Sequence, residues 1–109
     1  MRYEIIFAPE AEEDIALLKA SERAKALDTI ERHLRYEPVK VSKSRIKRLK
    51  GTESPQYRLR IDDLRAFYDV IYKVDEGVVE ILAVKKKSEA VKWLSEFGRA
   101  ETNETSSTE

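Results

Sequence analysis

Tyr57-Arg58-Leu59-Arg60-Ile61-Asp62-Asp63-Leu64-Arg65 is the stretch that decides the fold. Polar and apolar residues alternate through its first five positions, which is the period of a half-buried strand. Tyr57, Leu59 and Ile61 are expected to face a core, and Arg58 and Arg60 to face outward together. Asp62-Asp63 reads as a turn, so a second strand opens at Leu64 and runs to Lys73. A third follows from Val78 to Lys86, joined to it through the hairpin signal Asp75-Glu76-Gly77.

Working outward, Tyr3-Glu4-Ile5-Ile6-Phe7 reads as a buried first strand that ends at Ala8-Pro9. Proline suits the first helical position, and Glu10, Glu12, Glu13 and Asp14 fill a first turn where the helix dipole favours negative charge. Ala11, Ile15 and Leu18 recur at helical spacing. Ser21 is a candidate N-cap for a second helix whose apolar stripe is read as Ala24, Leu27, Ile30 and Leu34, ending before Pro38. His33 lies beside that stripe and is expected to be a partly exposed helix residue. The two helices form an antiparallel hairpin with a tight turn at Ala20-Ser21. At the other end, Ser88 is read as the cap of a last helix carrying Ala90, Val91, Trp93, Leu94 and Phe97, with Gly98 at its stop. The element order is β-α-α-β-β-β-α in one domain over residues 1–99. The polar stretch 100–109 is expected to be a disordered tail.

The chain's net charge of zero conceals a strong segregation. Residues 40–65 hold nine basic residues against three acidic ones, a net +6, while each flank carries −3. A basic patch of this kind attracts a polyanion or an acidic partner. A length of 109 residues supports one core, and no apolar run approaches the roughly 20 residues of a membrane span. With no cysteine and a single histidine, disulfides, thiolate nucleophiles and zinc-thiolate or multi-histidine metal sites are excluded. No metal or other cofactor is expected, and cytoplasm is the default compartment.

Several phrases resemble the RelE/ParE superfamily of toxins from bacterial type II toxin–antitoxin modules. They are Phe7-Ala8-Pro9-Glu10-Ala11, Arg48-Leu49-Lys50-Gly51, the stretch from Tyr57 to Arg65, Val70 to Gly77, and Ile81-Leu82-Ala83-Val84. The likeness spans roughly residues 2–94. It implies an α+β fold in which the N-terminal strand and the helical hairpin pack on a mostly antiparallel sheet. It also implies a cognate antitoxin as partner in a hetero-oligomer, with no membrane association. In the mRNA-cleaving members, basic residues on the central strands accept the message in the ribosomal A site and promote attack of a 2′-hydroxyl on the adjacent phosphate. By motif position the resemblance assigns Arg58, Arg60, Arg65 and Lys87 to catalysis. It adds Lys47, Arg48, Lys50, Lys85 and Lys86 as RNA contacts. Lys87 stands where the family has an arginine, and the tyrosine usual a few residues later is absent from Ser88-Glu89-Ala90-Val91. Val91, Leu94 and Phe97 are expected to dock the antitoxin.

Transesterification at phosphate requires a proton acceptor for the 2′-hydroxyl, cationic donors for the phosphoryl oxygens and a proton for the leaving oxygen. Guanidinium forks match phosphate oxygens bidentately, and a lysine crowded by other cations can serve as a base. Arg65 is the leading single residue, expected at the exposed opening of its strand. The resemblance therefore implies a ribosome-dependent mRNA endoribonuclease. Its alternatives are a non-catalytic ParE-like toxin that inhibits DNA gyrase by protein contact, and a degenerate member that only binds antitoxin.

Overall fold

The computed structural model describes residues 1–100. The chain enters on strand β1 (Tyr3–Phe7) and passes through Ala8 into helix α1 (Pro9–Ala16), with proline in its first turn and Ala11 and Ile15 buried. Helix α2 (Ala20–Leu34) returns antiparallel after three residues. The Arg23 guanidinium holds that turn closed, donating to the carbonyls of Ile15 at 3.2 Å and Leu18 at 2.8 Å. A basic side chain thus satisfies carbonyls that the end of α1 leaves without helical partners.

Two expectations for α2 are corrected here. Ser21 lies inside the helix, whose N-cap is Lys19, and no side chain caps it. Its buried stripe is Ala26, Ile30 and Leu34, with Ala24 and Leu27 left exposed. The stripe descends the strict i, i+4 row, which is one of the two rows a helix can bury.

The basic stretch expected as a loop contains two short strands, β2 (Ile46–Arg48) and β3 (Thr52–Ser54). Strand β4 (Tyr57–Ile61), strand β5 (Leu64–Tyr72) and strand β6 (Gly77–Lys86) follow as the alternation requires. Helix α3 (Lys87–Phe97) leaves β6 without a linker. Its N-cap is Lys86 and no side chain caps it, so Ser88 sits within the first turn instead of at the cap. Gly98 ends α3 as expected, donating its N–H to the Leu94 carbonyl at 2.9 Å. A Cβ there would lie 2.6 Å from that same carbonyl oxygen. Strand β7 (Arg99–Ala100) pairs with β3. The remainder of the expected tail, 101–109, lies outside the described residues.

The main sheet has the order β1-β6-β5-β4-β2, with β1 parallel to β6 and every other pairing antiparallel. One face packs on the helical hairpin through Leu59, Ile61, Tyr68, Val70, Val79 and Ile81 against Ala11, Ile15, Ala26, Ile30 and Leu34. The other face packs on α3 through Phe67 and Ala83 against Ala90 and Trp93. Tyr57, Leu59 and Ile61 therefore face the larger core, as their alternation demands. β5 serves both cores by alternation, while a register shift opposite Phe67 and Tyr68 makes Leu82 an extra residue in β6, so that Ile81 and Val84 both reach the larger core.

The Tyr68 side chain is fully buried, stacked on Tyr57 with ring centroids 5.4 Å apart, and donates its hydroxyl to the Pro38 carbonyl at 2.6 Å. Burial raises its pKa, so the phenol stays protonated and remains the donor. Tyr68→Phe strands that carbonyl, and we expect a loss of about 1–2 kcal/mol, read as a drop of several degrees in Tm by circular dichroism. An unchanged Tm would remove the bond from the account of stability.

Candidate functional site

Strand pairing brings the basic residues of separate segments side by side. Lys47 on β2 lies opposite Arg58 on β4, Arg58 opposite Phe67 on β5, and Arg60 opposite Arg65. Alternation turns Lys47, Arg58, Arg65 and Phe67 to the face that carries α3. There they meet Lys87, Ala90, Val91 and Leu94 across a cleft of about 260 Å³, with Leu49 closing its end. Four cations ring an apolar floor, and no carboxylate is among the lining residues.

Arg58 is half-buried, and its Nε is buried with no hydrogen-bond partner among the described residues. Burial, with Arg65 and Arg60 nearby, shifts its proton affinity downward, each cause opposing the charged form. A guanidinium in this condition gains from any anion that enters the cleft.

Arg65 corrects an expectation. It is buried, at 7% exposure, and its Nη1 donates to the carbonyls of Asp62 at 2.8 Å and Leu64 at 2.9 Å. The side chain curls back over the turn it follows, so it braces that turn with one nitrogen and presents the rest of the fork to the cleft. The turn itself places Asp62 at φ +49°, a left-handed conformation that aspartate tolerates better than most residues. Asp63 contributes its carbonyl to the Lys87 N–H at 2.6 Å, which fixes the start of α3 beside Arg65.

The other expected site residues are distributed more widely. Arg60 is exposed on the rim and is not among the residues lining the cleft. Arg48 donates to the carbonyls of Leu49 and Gln56, each at 2.8 Å, and lies 5.4 Å from the Tyr57 ring centroid, so it fastens the β2 edge. Lys50 and Lys86 are exposed and outside the lining. Lys85 is held by Glu10 at 2.8 Å and Asp14 at 3.0 Å. Burial opposes its charge, but the hydrogen bonds it donates to Glu10 and Asp14 more than offset this and raise its pKa. A lysine so held is a poor base at neutral pH.

The three expected docking residues split. Val91 and Leu94 line the cleft, while Phe97 stacks on Trp93 at 6.1 Å on the other side of α3. Trp93 in turn stacks on Phe67 at 5.0 Å and donates its indole N–H to Glu10 at 3.0 Å. Residues unnoticed in the sequence as site components are Leu49, Phe67 and Ala90 in the lining, and Glu10 and Asp14 as the clasp on Lys85. The clasp had a signal: Glu10 and Asp14 are four residues apart, hence on one helix face. Among the described residues no cluster of three metal-ligating side chains occurs. None of the described helices is long and apolar enough to cross a membrane.

This architecture is found in solved toxins. The chain is similar to the toxin of the archaeal RelE-RelB complex from Pyrococcus horikoshii, with 27% identity and a TM-score of 0.62 over 80% of this chain and 97% of that one. It is also similar to a mutant of the Escherichia coli toxin RelE in the free state, with 25% identity and a TM-score of 0.62 over 88% and 94%. The YoeB/ParE toxin from Agrobacterium tumefaciens, at 18% identity, shares the fold with a TM-score of 0.61 over 76% and 97%. Among curated proteins no sequence relative matches. The family model described as "ParE toxin of type II toxin-antitoxin system, parDE" matches residues 5–91, a span that takes in β1 from Ile5, the other four strands of the main sheet and the cleft up to Val91. The chain is therefore a type II toxin of the RelE/ParE superfamily.

Proposed function

We propose that this toxin acts on RNA, as a ribosome-dependent endoribonuclease that cleaves mRNA and inhibits translation. The observation that carries the reading is the buried Arg58 Nε without a partner, in a cleft whose lining supplies four cations and no carboxylate. Such a site is built to accept phosphate oxygens. Arg58 and Arg65 would hold the scissile phosphate and take up the charge that develops on it. Lys87, fixed by the Asp63 carbonyl, would attend the leaving oxygen. Lys47 is the remaining amine in the lining and the candidate to receive the 2′-proton. Val91 and Leu94 offer an apolar surface for the adjoining base.

The toxin's proposed neutraliser is a cognate antitoxin that seats on α3, covers Val91 and Leu94 and shields the same cations. Solved relatives from Pyrococcus horikoshii, Mycobacterium tuberculosis and Methanococcus jannaschii are toxin–antitoxin complexes.

A second reading, a toxin that inhibits DNA gyrase by contact alone, is favoured by one specific observation. The cleft lining contains no histidine, tyrosine or carboxylate, so proton transfer rests entirely on lysines. Inducible expression with mapping of mRNA 5′ ends separates the two. New 5′ ends in phase with codons support cleavage, whereas intact messages accompanied by DNA damage overturn it.

Two variants sharpen the site. Arg58→Gln removes a phosphate donor and should slow cleavage about a hundredfold. It also removes a desolvated cation beside Arg65, so the Tm should hold or rise. A variant that still cleaves at the wild-type rate would take Arg58 out of the chemistry. Arg65→Ala should do two things at once: abolish growth arrest and cost about 2 kcal/mol of stability, because two carbonyl hydrogen bonds disappear with the side chain. Arg65→Lys restores the charge but not the brace. A stable Arg65→Ala protein as toxic as the wild type would exclude both roles.

A further inference from the structure

The last described residues run beside the cleft and toward its end. Strand β7 pairs antiparallel with β3, Arg99 opposite Ser54 and Ala100 opposite Thr52. The chain therefore travels backward along β3, in the direction of Gly51, Lys50 and Leu49, and Leu49 is the residue that closes the cleft. Gly98 marks the same place: a Cβ there would lie 3.1 Å from the side chain of Leu94, which lines the cleft, and 3.5 Å from that of Thr52. The first cation past Thr52 in that direction is the exposed Lys50. From Leu94 the cleft extends back to Lys87, two turns or about 10 Å along α3.

After Ala100 the sequence reads Glu101-Thr102-Asn103-Glu104-Thr105-Ser106-Ser107-Thr108-Glu109, with three carboxylates, no basic residue and no aliphatic or aromatic one. The cleft is its electrostatic complement, since Lys47, Arg58, Arg65 and Lys87 line it without a carboxylate among them. Asp63 acts on Arg65, but burial and Arg60 outweigh it. The charges that act on Arg58 are the two other arginines, and its Nε is buried without a partner among the described residues. Nine residues reach up to about 30 Å when extended, well beyond the length of the cleft. Glu104, four residues past Ala100, reaches about 13 Å, enough to meet Arg58 or Arg65.

We propose that the acidic segment 101–109 folds back into the cleft of its own chain and competes there with RNA, its carboxylates standing in for phosphates. The competitor it names rests on the RNA reading of the cleft, and the segment itself lies outside the chemistry. The chain's own segment is favoured over that of a second copy because a short tether holds it at an effective concentration of the order of millimolar. Its hold is partial, because exposed ion pairs are individually weak. Having no apolar side chain, it leaves Val91 and Leu94 uncovered. An RNA strand or an antitoxin that engages those residues as well as the cations would displace it.

The test is made on the full chain, which contains no cysteine, so that Ser106→Cys carries a nitroxide label at a single site. Paramagnetic broadening of amide signals should reach Arg58, Lys87 and Val91 at about 50 mM salt and fade by about 200 mM, while Leu27 and Val74 stay sharp. Broadening confined to the stretch from Leu49 to Thr52, beside the exit, overturns the proposal. So does broadening of the cleft seen only when an isotope-labelled chain is mixed with a separate spin-labelled one. The second arm is fluorescence anisotropy with a fluorescein-labelled RNA octamer, 2′-O-methylated throughout so that it cannot be cleaved. Glu101→Gln, Glu104→Gln and Glu109→Gln together should tighten octamer binding about threefold at the lower salt, the factor expected when the segment holds the cleft about two-thirds of the time. The Tm should not change. Equal octamer affinities for the triple variant and the wild type overturn the competition. If the cleft shows no broadening while Arg58→Gln weakens octamer binding, the segment falls and the RNA reading stands. If the cleft is broadened and the octamer binds neither protein, the segment stays in the cleft and the RNA reading falls.

Discussion

Strand β1 stops at Phe7 while its neighbour β6 continues to Lys86, and the structure around the cleft follows from how that gap is closed. Beyond Ile81 the outward-facing backbone of β6 has no strand to pair with. The Ile81 carbonyl takes the Ala8 N–H at 2.9 Å, and the Asp14 carboxylate then accepts the Val84 N–H at 2.9 Å. A buried amide left alone there would cost on the order of 1–3 kcal/mol. Because α1 must deliver that carboxylate, its first turns lie along the sheet edge, and Glu10 one turn earlier reaches both Lys85 and Trp93. One acidic helix face thereby joins α1, β6 and α3. Lys85, although it lies opposite Arg65 in register, is drawn into this clasp, which leaves the cleft to Arg58, Arg65, Lys47 and Lys87.

The cleft is arranged against the interests of the free protein. Arg58, Arg60 and Arg65 sit on adjacent strands, and burial adds to the mutual repulsion at Arg58 and Arg65. On the proposed reading, an entering phosphate or acidic segment would relieve the repulsion and supply the hydrogen bond that Arg58 Nε lacks. Neutralisation by a partner and action on RNA would draw on the same stored repulsion, so the two would compete at one surface. On the proposed reading, the apolar wall of Ala90, Val91 and Leu94 would serve either occupant, as an apolar contact for a base or as a docking stripe.

The three long strands, the helical hairpin and the α+β class were legible because period-two and helical spacing are properties of the local sequence. Tyr57, Leu59 and Ile61 alternate without exception, and their burial follows. The helix caps were misread at Ser21 and Ser88 because capping preference is worth only about 1 kcal/mol, and both helices start two residues earlier, after Lys19 and Lys86. The stripe on α2 was misplaced because Ala24-Leu27 and Ala26-Ile30 are both helically spaced; only the position of the sheet chooses between them. The short strands β2 and β3 carried no signal of their own; β2 exists because β4 offers it an edge, and β3 pairs only with the two-residue β7. At the candidate cleft, Arg58, Arg65 and Lys87 were singled out by motif position, and the fold brings them together. Exposure was not: nothing local says that Arg65 folds back over its turn, or that Lys85 is taken by residues some seventy positions away.

The turn between β4 and β5 shows how backbone, not side chain, can set a functional geometry. Its two aspartates look like acidic brakes on the basic patch, yet the Asp62 carboxylate turns away to Lys25. The carbonyls do the positioning: Asp62 receives Arg65 at 2.8 Å, and Asp63 receives the Lys87 N–H at 2.6 Å. Two candidate phosphate donors, one from a strand and one from a helix start, are thus referenced to consecutive peptide groups, whose planarity leaves little freedom between them. A side-chain contact could drift with rotamer changes, whereas this one moves only if the hairpin moves. The same economy accounts for α3 leaving β6 without a linker, since any inserted residue would carry Lys87 away from the Asp63 carbonyl and out of step with Arg65.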